Sequence, residues 1–176
     1  MRRKISGVTI ELRQGNISNQ ADCDAVVNAA NPQLESGGGV AGAIHTAAGP
    51  KLAKEARKMA PIKPGEAVIT KAYKLPNKYV IHCLGPVYGR DKPEAELLSE
   101  CYSNALHLAE ENEIKSIAFP AISAGIYGYP IKEAAEVAIH SIIKEIPSLK
   151  STKRIVFVLY SKGDFEVHQR LLKEIS

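Results

Sequence analysis

Apolar residues in this chain fall into two patterns. Over residues 8–14 they alternate with polar ones (Val8, Ile10, Leu12), the period of a strand with one face toward solvent. The runs at 22–28, 79–84, 116–119 and 154–160 are short and apolar on both faces, and 67–70 is a further strand-like segment. Between them lie helical spacings. Residues 42–48 and 51–59 predict two short helices separated by Gly49-Pro50, the second stopped ahead of Pro61 and Pro64. Residues 94–112 place Leu98, Cys101, Ala105 and Leu108 on one face. Pro130 suits the first turn of a helix running to Glu145 that buries Ala134, Ala138 and Ile142, and 165–175 closes the chain as a helix.

Strands that are apolar on both faces and alternate with helices predict an α/β fold with a largely parallel sheet covered on both sides. One domain spans residues 1–176. The alternating strand at 8–14 is expected at an edge, where an antiparallel direction is open to it. In such sheets a ligand binds beyond the carboxyl ends of the strands. The loops leaving those ends here are at Asn16, 28–40, 123–128 and 160–163, and together they are the expected site.

Composition narrows the function classes. A hydrophobic content of 45% with 24% charged residues is that of a globular domain. The net charge of +4 comes without a dense basic stripe interleaved with aromatics, so no specific nucleic-acid groove is indicated. Cys23, Cys83 and Cys101 lack C-x-x-C spacing and read as reduced thiols. His107, His140 and His168 have no metal-ligand spacing, so no metal site is expected, and no cofactor. No apolar segment follows the basic residues Met1 to Lys4, and no run is long enough to span a membrane. A cytoplasmic protein without membrane contact is the expectation.

Two loops carry the chemistry. The stretch from Asn28 to His45 holds Asn31 and the consecutive Gly37, Gly38 and Gly39 between a buried strand and a helix of small residues. Glycines there fit a backbone that must approach a ligand closely. The second loop, Ser123, Ala124, Gly125, Ile126, Tyr127 and Gly128, can present consecutive backbone N–H groups ahead of a helix N-terminus, whose dipole suits a diphosphate. Neither loop has the lysine and hydroxyl of a P-loop, and no G-x-G-x-x-G follows the first strand. Triphosphate hydrolysis and nicotinamide-dependent oxidoreduction are both disfavoured. Two such loops from separate strands can close over one diphosphate from opposite sides.

Taken together, Asn28-Ala-Ala-Asn31, Gly37-Gly-Gly-Val-Ala-Gly-Ala-Ile-His45, Tyr79-Val-Ile-His82-Cys-Leu-Gly-Pro86 and Phe119-Pro-Ala-Ile-Ser-Ala-Gly-Ile-Tyr-Gly128 resemble a macrodomain over nearly the whole chain. The resemblance implies a three-layer α/β/α sandwich that binds ADP-ribose and hydrolyses ADP-ribosyl esters, on acidic side chains of proteins or in O-acetyl-ADP-ribose. The alternative it leaves is a reader that binds ADP-ribosylated partners without turning them over. By position, Gly37, Gly38, Gly39 and Val40 would line the distal ribose and diphosphate. Ser123, Ala124, Gly125, Ile126 and Tyr127 would hold the diphosphate, with the Tyr127 ring against the distal ribose. Asn31, the catalytic candidate, would bond a distal ribose hydroxyl, Tyr160 would stack on adenine, and the Ile17 N–H would reach an adenine ring nitrogen.

Two departures stand out. The family usually has Gly-Asp-Ile where this chain has Gly15-Asn16-Ile17, and an Asn16 that accepts from the adenine amino group does so without charge assistance. The cellular hydrolase branch has Asp where this chain has Ala41, while viral and some microbial hydrolases share the Ala. Catalysis would then lack a protein general base, with a ligand phosphate oxygen polarising the water. Among the remaining polar residues, His82 reads as a core histidine, His45 either as facing the ribose or as packing under the loop, Asn28 as a brace, Tyr129 as cover for the helix start and Tyr88 as a rim.

Overall fold

The computed structural model describes residues 1–175. Its strands are β1 (Arg2–Ile5), β2 (Val8–Gln14), β3 (Ala25–Ala29), β4 (Ala67–Lys71), β5 (Tyr79–Cys83), β6 (Ser116–Phe119) and β7 (Arg154–Leu159). The helices are α1 (Gly39–Ala48), α2 (Pro50–Ala56, continued by a 3-10 turn at Arg57–Met59), α3 (Glu94–Glu111), α4 (Ile131–Glu145) and α5 (Lys162–Glu174). The strands form one sheet in the order β1-β2-β7-β6-β3-β5-β4. It is parallel except at its two edges, where β1 and β4 run antiparallel to their neighbours.

The sheet is covered on both faces. Val27, Ile81, Ile117, Phe119, Ile155 and Phe157 point toward α3, α4 and α5, around a cluster in which the Tyr102 and Phe119 ring centroids are 5.1 Å apart. The alternate residues Val26, Val80, Ala118, Val156 and Val158 meet Ile44, Ala48 and Leu52 of α1 and α2. Burying each of the larger of these side chains is worth roughly 1.5–3 kcal/mol. The three-layer sandwich expected from the sequence is the observed architecture.

One expectation is overturned. The alternating strand at residues 8–14 is not an edge: β2 lies inside the sheet, parallel to β7 from Thr9↔Arg154 to Gln14↔Leu159. The edge is β1, four residues of which three are basic. The polar half of β2 has another cause. Its second face is covered by the segment at 16–23, and Glu11, though buried, pairs with Arg13 and with Arg2 (3.0 Å). Arg13 also donates to Asp22 (2.6 Å) and to Gln20 (3.0 Å), tying that segment onto the sheet. Its guanidinium holds the Asp22 carboxyl well below the usual carboxylate range.

Cys23, Cys83 and Cys101 are free and buried. Burial pushes the Cys101 thiol up to about 12 and the Cys23 thiol up to about 11, so both are protonated and unreactive at neutral pH. Among the described residues no helix is long and apolar enough to cross a membrane.

Candidate functional site

The carboxyl ends of the parallel strands open into one cleft of about 810 Å³. Its layout follows the sheet order. Gly15, Asn16 and Ile17 after β2, with Val158 and Tyr160 of the β7 end, form one extremity; residues 120–127 after β6 form the middle; Ala29, Ala30 and Asn31 after β3, with Gly85 after β5, form the other. From β2 to β3 is three strand spacings, on the order of 14 Å. That is the scale of an extended nucleotide-sugar, and all the ligand-contacting residues expected from the sequence border this cleft.

The two ends differ chemically. The β2/β7 end is a slot for a flat ring: Ile17 and Val158 are apolar and buried, and Tyr160 stands 85% exposed at the mouth, with no ring stacked on it among the described residues. An exposed aromatic beside an aliphatic floor suits stacking on a base. Asp164 also borders the cleft here, at the first turn of α5, because Ser161 caps that helix by accepting from the Asp164 N–H (3.1 Å). The sequence reading began α5 three residues later and missed it. The Ser161-Lys-Gly-Asp164 capping pattern was the available signal.

The middle is built for an anion. α1 begins at Gly39 with Gly38 as its N-cap and no side-chain cap, so its first-turn N–H groups are unsatisfied and point out of the helix end. From the other side, the loop after β6 turns on Ser123 (φ 66°), with Tyr129 N–H donating to the Ser123 carbonyl (2.9 Å) and Gly128 N–H to the Gly125 carbonyl (3.0 Å). The N–H groups of Gly125, Ile126 and Tyr127 donate to no acceptor among the described residues. The two loops nearly touch: a Cβ on Gly38 would lie 3.1 Å from Ile126 Cδ1. The dipole expected from the helix after this loop is supplied instead by α1, since no residue of α4 borders the cleft.

Ser123 itself faces away from a ligand. Its hydroxyl donates to the Pro86 carbonyl (2.8 Å), so it contributes backbone to the site and a tie between loops. Gly85 is required for that tie, because a Cβ there would overlap Ser123 Oγ.

At the far end, the Asn31 carboxamide is fixed by its own loop. Nδ2 donates to the Glu35 carbonyl (2.8 Å) and Oδ1 accepts from the Glu35 N–H (3.0 Å). Each end of an amide has a second valence, so one N–H and one lone pair remain for a ligand. Gly37 packs against this amide, a Cβ there lying 3.3 Å from Asn31 Nδ2. The titratable side chains bordering the cleft are Tyr127, Tyr160 and Asp164, and burial raises the Tyr127 phenol, which stays neutral. Ala41 also borders the cleft and brings no titratable group to it.

Beneath α1 lies a buried polar chain outside the cleft. Thr70 Oγ1 donates its one proton to the Lys71 carbonyl (3.0 Å), so it accepts from His82 Nε2–H (2.9 Å). His82 Nδ1 then accepts from Asn28 Nδ2 (3.1 Å). Burial, with the nearby His45 ring, pushes His82 down to about 3 and fixes it neutral. Asn28 is thus a brace between β3 and β5, and His82 a core histidine. His45 is buried at α1 with its ring centroid 6.4 Å from that of His82, its pKa lowered by burial.

A sandwich of this topology, with a cleft of nucleotide-sugar length across its strand ends, defines an α/β ligand-binding module, and the comparisons give its family. The Macro domain family model matches residues 27–138. A macro domain-containing protein of Chlorobaculum tepidum is 49% identical over 150 residues, covering 85% of this chain and 87% of that one. An O-acetyl-ADP-ribose deacetylase of Citrobacter rodentium is 48% identical over 170 residues, covering 94% of this chain and 96% of its own. Among solved structures, the Oceanobacillus iheyensis macrodomain with ADP superposes with a TM-score of 0.93 at 40% identity, covering 98% of this chain and 94% of that one. A Trypanosoma brucei macrodomain in complex with ADP-ribose superposes at 0.85 with 35% identity, over 93% of this chain and 68% of the other. This chain belongs to the macrodomain family.

Proposed function

We propose that the chain binds ADP-ribose across this cleft and hydrolyses ADP-ribosyl esters, O-acetyl-ADP-ribose among them and mono-ADP-ribosylated aspartate or glutamate on proteins as the second class. The observation that carries the reading is the pair of uncapped N–H arrays, at the start of α1 and at 125–127, facing one another between an aromatic slot and a fixed amide. Diphosphate in the middle puts adenine at Tyr160 and the distal ribose at Asn31. The deacetylase relatives support the reaction class, and the ADP-ribose complex supports the ligand.

The chemistry needs no metal and no cofactor in this reading. Hydrolysis consumes one water and yields ADP-ribose and a carboxylic acid. With no carboxylate, imidazole or thiol bordering the Asn31 end among the described residues, the proton leaves the attacking water through a diphosphate oxygen of the ligand. The protein supplies position and N–H electrostatics. Asn31 fixes a ribose hydroxyl, and the glycine backbone lets the sugar approach.

Ala41 is compatible with hydrolysis and equally with a second reading, a module that recognises ADP-ribosylated proteins without cleaving them. Incubation with O-acetyl-ADP-ribose and, separately, with a glutamate-ADP-ribosylated protein decides between them. Release of acetate and of ADP-ribose supports the hydrolase. Tight ADP-ribose binding by calorimetry with neither release supports the reader.

A further inference from the structure

At the base end of the cleft the Asn16 side chain offers a ligand donors only. Its Oδ1 accepts from the Ser18 N–H (2.9 Å) and from the Ser18 hydroxyl (2.8 Å). A backbone N–H can only donate, so the amide atom facing it is the oxygen, and the two ends of this amide are assigned by chemistry. Both oxygen lone pairs are then used. The NH2 group is what remains, and it donates to no acceptor among the described residues. The turn is also held from behind. The Asn16 carbonyl accepts from Gln20 Nε2 (2.8 Å), and Gln20 Oε1 accepts from Arg13 (3.0 Å), whose guanidinium is anchored on Asp22. Turning the oxygen toward a ligand would break both bonds to Ser18.

We propose that Asn16 sets the base selectivity of the cleft, so that it takes a 6-oxopurine diphosphate ribose at least as tightly as the 6-aminopurine one. This rests on the reading above, which places the base beside Tyr160 and Ile17. The exocyclic amine of adenine donates. Set against a second donor, it gives up a water partner and gains none, and an unpaired polar group in a site is what discriminates between closely similar ligands. A 6-oxopurine carries O6 and N7 as adjacent acceptors on one edge while its N1 carries a hydrogen, so the edge turned to this end is the O6/N7 edge, with the Asn16 NH2 donating to O6 and the Ile17 N–H to N7. The sequence alone leaves Asn16 free to accept from the adenine amine. The bonds to Ser18 remove that option.

The test is calorimetric titration with ADP-ribose and with inosine diphosphate ribose, on wild type and on Asn16→Asp. The substitution is isosteric. It keeps one oxygen for Ser18 and replaces the NH2 with an acceptor. Wild type is expected to bind the inosine ligand with a Kd equal to or below that for ADP-ribose, and Asn16→Asp to move the ratio of the two toward ADP-ribose by roughly tenfold. Asp164, the carboxylate bordering this end, and the Tyr160 hydroxyl are the same in both proteins and do not contribute to the change. A wild type that prefers ADP-ribose overturns the proposal, whether or not the variant folds, and so does a ratio the substitution leaves unchanged. If neither ligand binds wild type, the ADP-ribose reading itself fails; if both bind with ADP-ribose favoured, only the base assignment fails.

Discussion

Asn31 and Glu35 hold one another through a pair of reciprocal hydrogen bonds, side-chain amide to backbone, at 2.8 and 3.0 Å. The pair closes the five-residue turn 31–35, and Leu34, wholly buried in a left-handed conformation (φ 57°), plugs it from below. The amide therefore meets a ligand already oriented. Little conformational entropy is left to lose when the distal ribose arrives, which is how a single neutral side chain can matter to a rate.

Gly85→Ala is expected to damage the site without touching a ligand. The new methyl overlaps Ser123 Oγ and crowds Ile122 Cγ2 at 2.7 Å, forcing apart the loops that Ser123 ties to Pro86. ADP-ribose affinity should fall by roughly tenfold or more while the melting temperature drops by a few degrees. Calorimetry beside thermal denaturation checks it. Unchanged affinity would mean that the 123–127 loop is not shaped by this contact.

Ala41→Asp introduces a carboxylate at the cleft wall where the wild type has none. Ala41 is buried, so the variant is expected to be less stable. If water activation by the ligand phosphate limits the wild type, a positioned base should raise the saturated hydrolysis rate, general bases being worth about 10²–10⁴-fold. A rate that does not rise would show that proton removal is not limiting.

Tyr160→Ala removes the exposed aromatic at the base end. Loss of one stacking partner costs about 1–3 kcal/mol, roughly 5- to 150-fold in Kd. The same substitution should leave binding of ribose 5-phosphate, which has no base, unchanged. Equal losses for both ligands would place Tyr160 outside the base slot.

Stability should depend on pH through His82. Its folded pKa, about 3, lies below the ordinary imidazole value, so the unfolded chain binds the proton first. The stabilisation is complete above about pH 6.5 and is lost as the pH falls toward 3. Between pH 7.5 and 5 this one group accounts for about 2 kcal/mol. Denaturant midpoints across that range check it, and His82→Gln should flatten the slope. An identical slope in the variant would assign the effect to other groups.

Much of the fold and of the cleft is legible in the sequence, because both are written in local signals. Apolar runs mark β3, β5, β6 and β7, and the glycines at 37–39 and small residues at 123–128 mark where backbone meets ligand. What was not legible depended on distant partners. The polar positions of β2 read as solvent-facing because Glu11 and Arg13 neutralise one another under a loop that no periodicity describes. β1 is too short and too charged to announce a strand. Ser123 and Asn16 both border the cleft, but the direction of their hydrogen bonds is set by Pro86 and by Ser18, which no local signal shows.

The most direct measurement is the rate of acetate release from O-acetyl-ADP-ribose at saturating substrate, wild type beside Asn31→Ala, with ADP-ribose affinity measured on both. The account expects wild type to turn over, the variant to lose about 100-fold or more in rate, and its ADP-ribose affinity to change far less. A variant that retains the wild-type rate would contradict it, since the distal ribose would then be held and oriented by something other than Asn31.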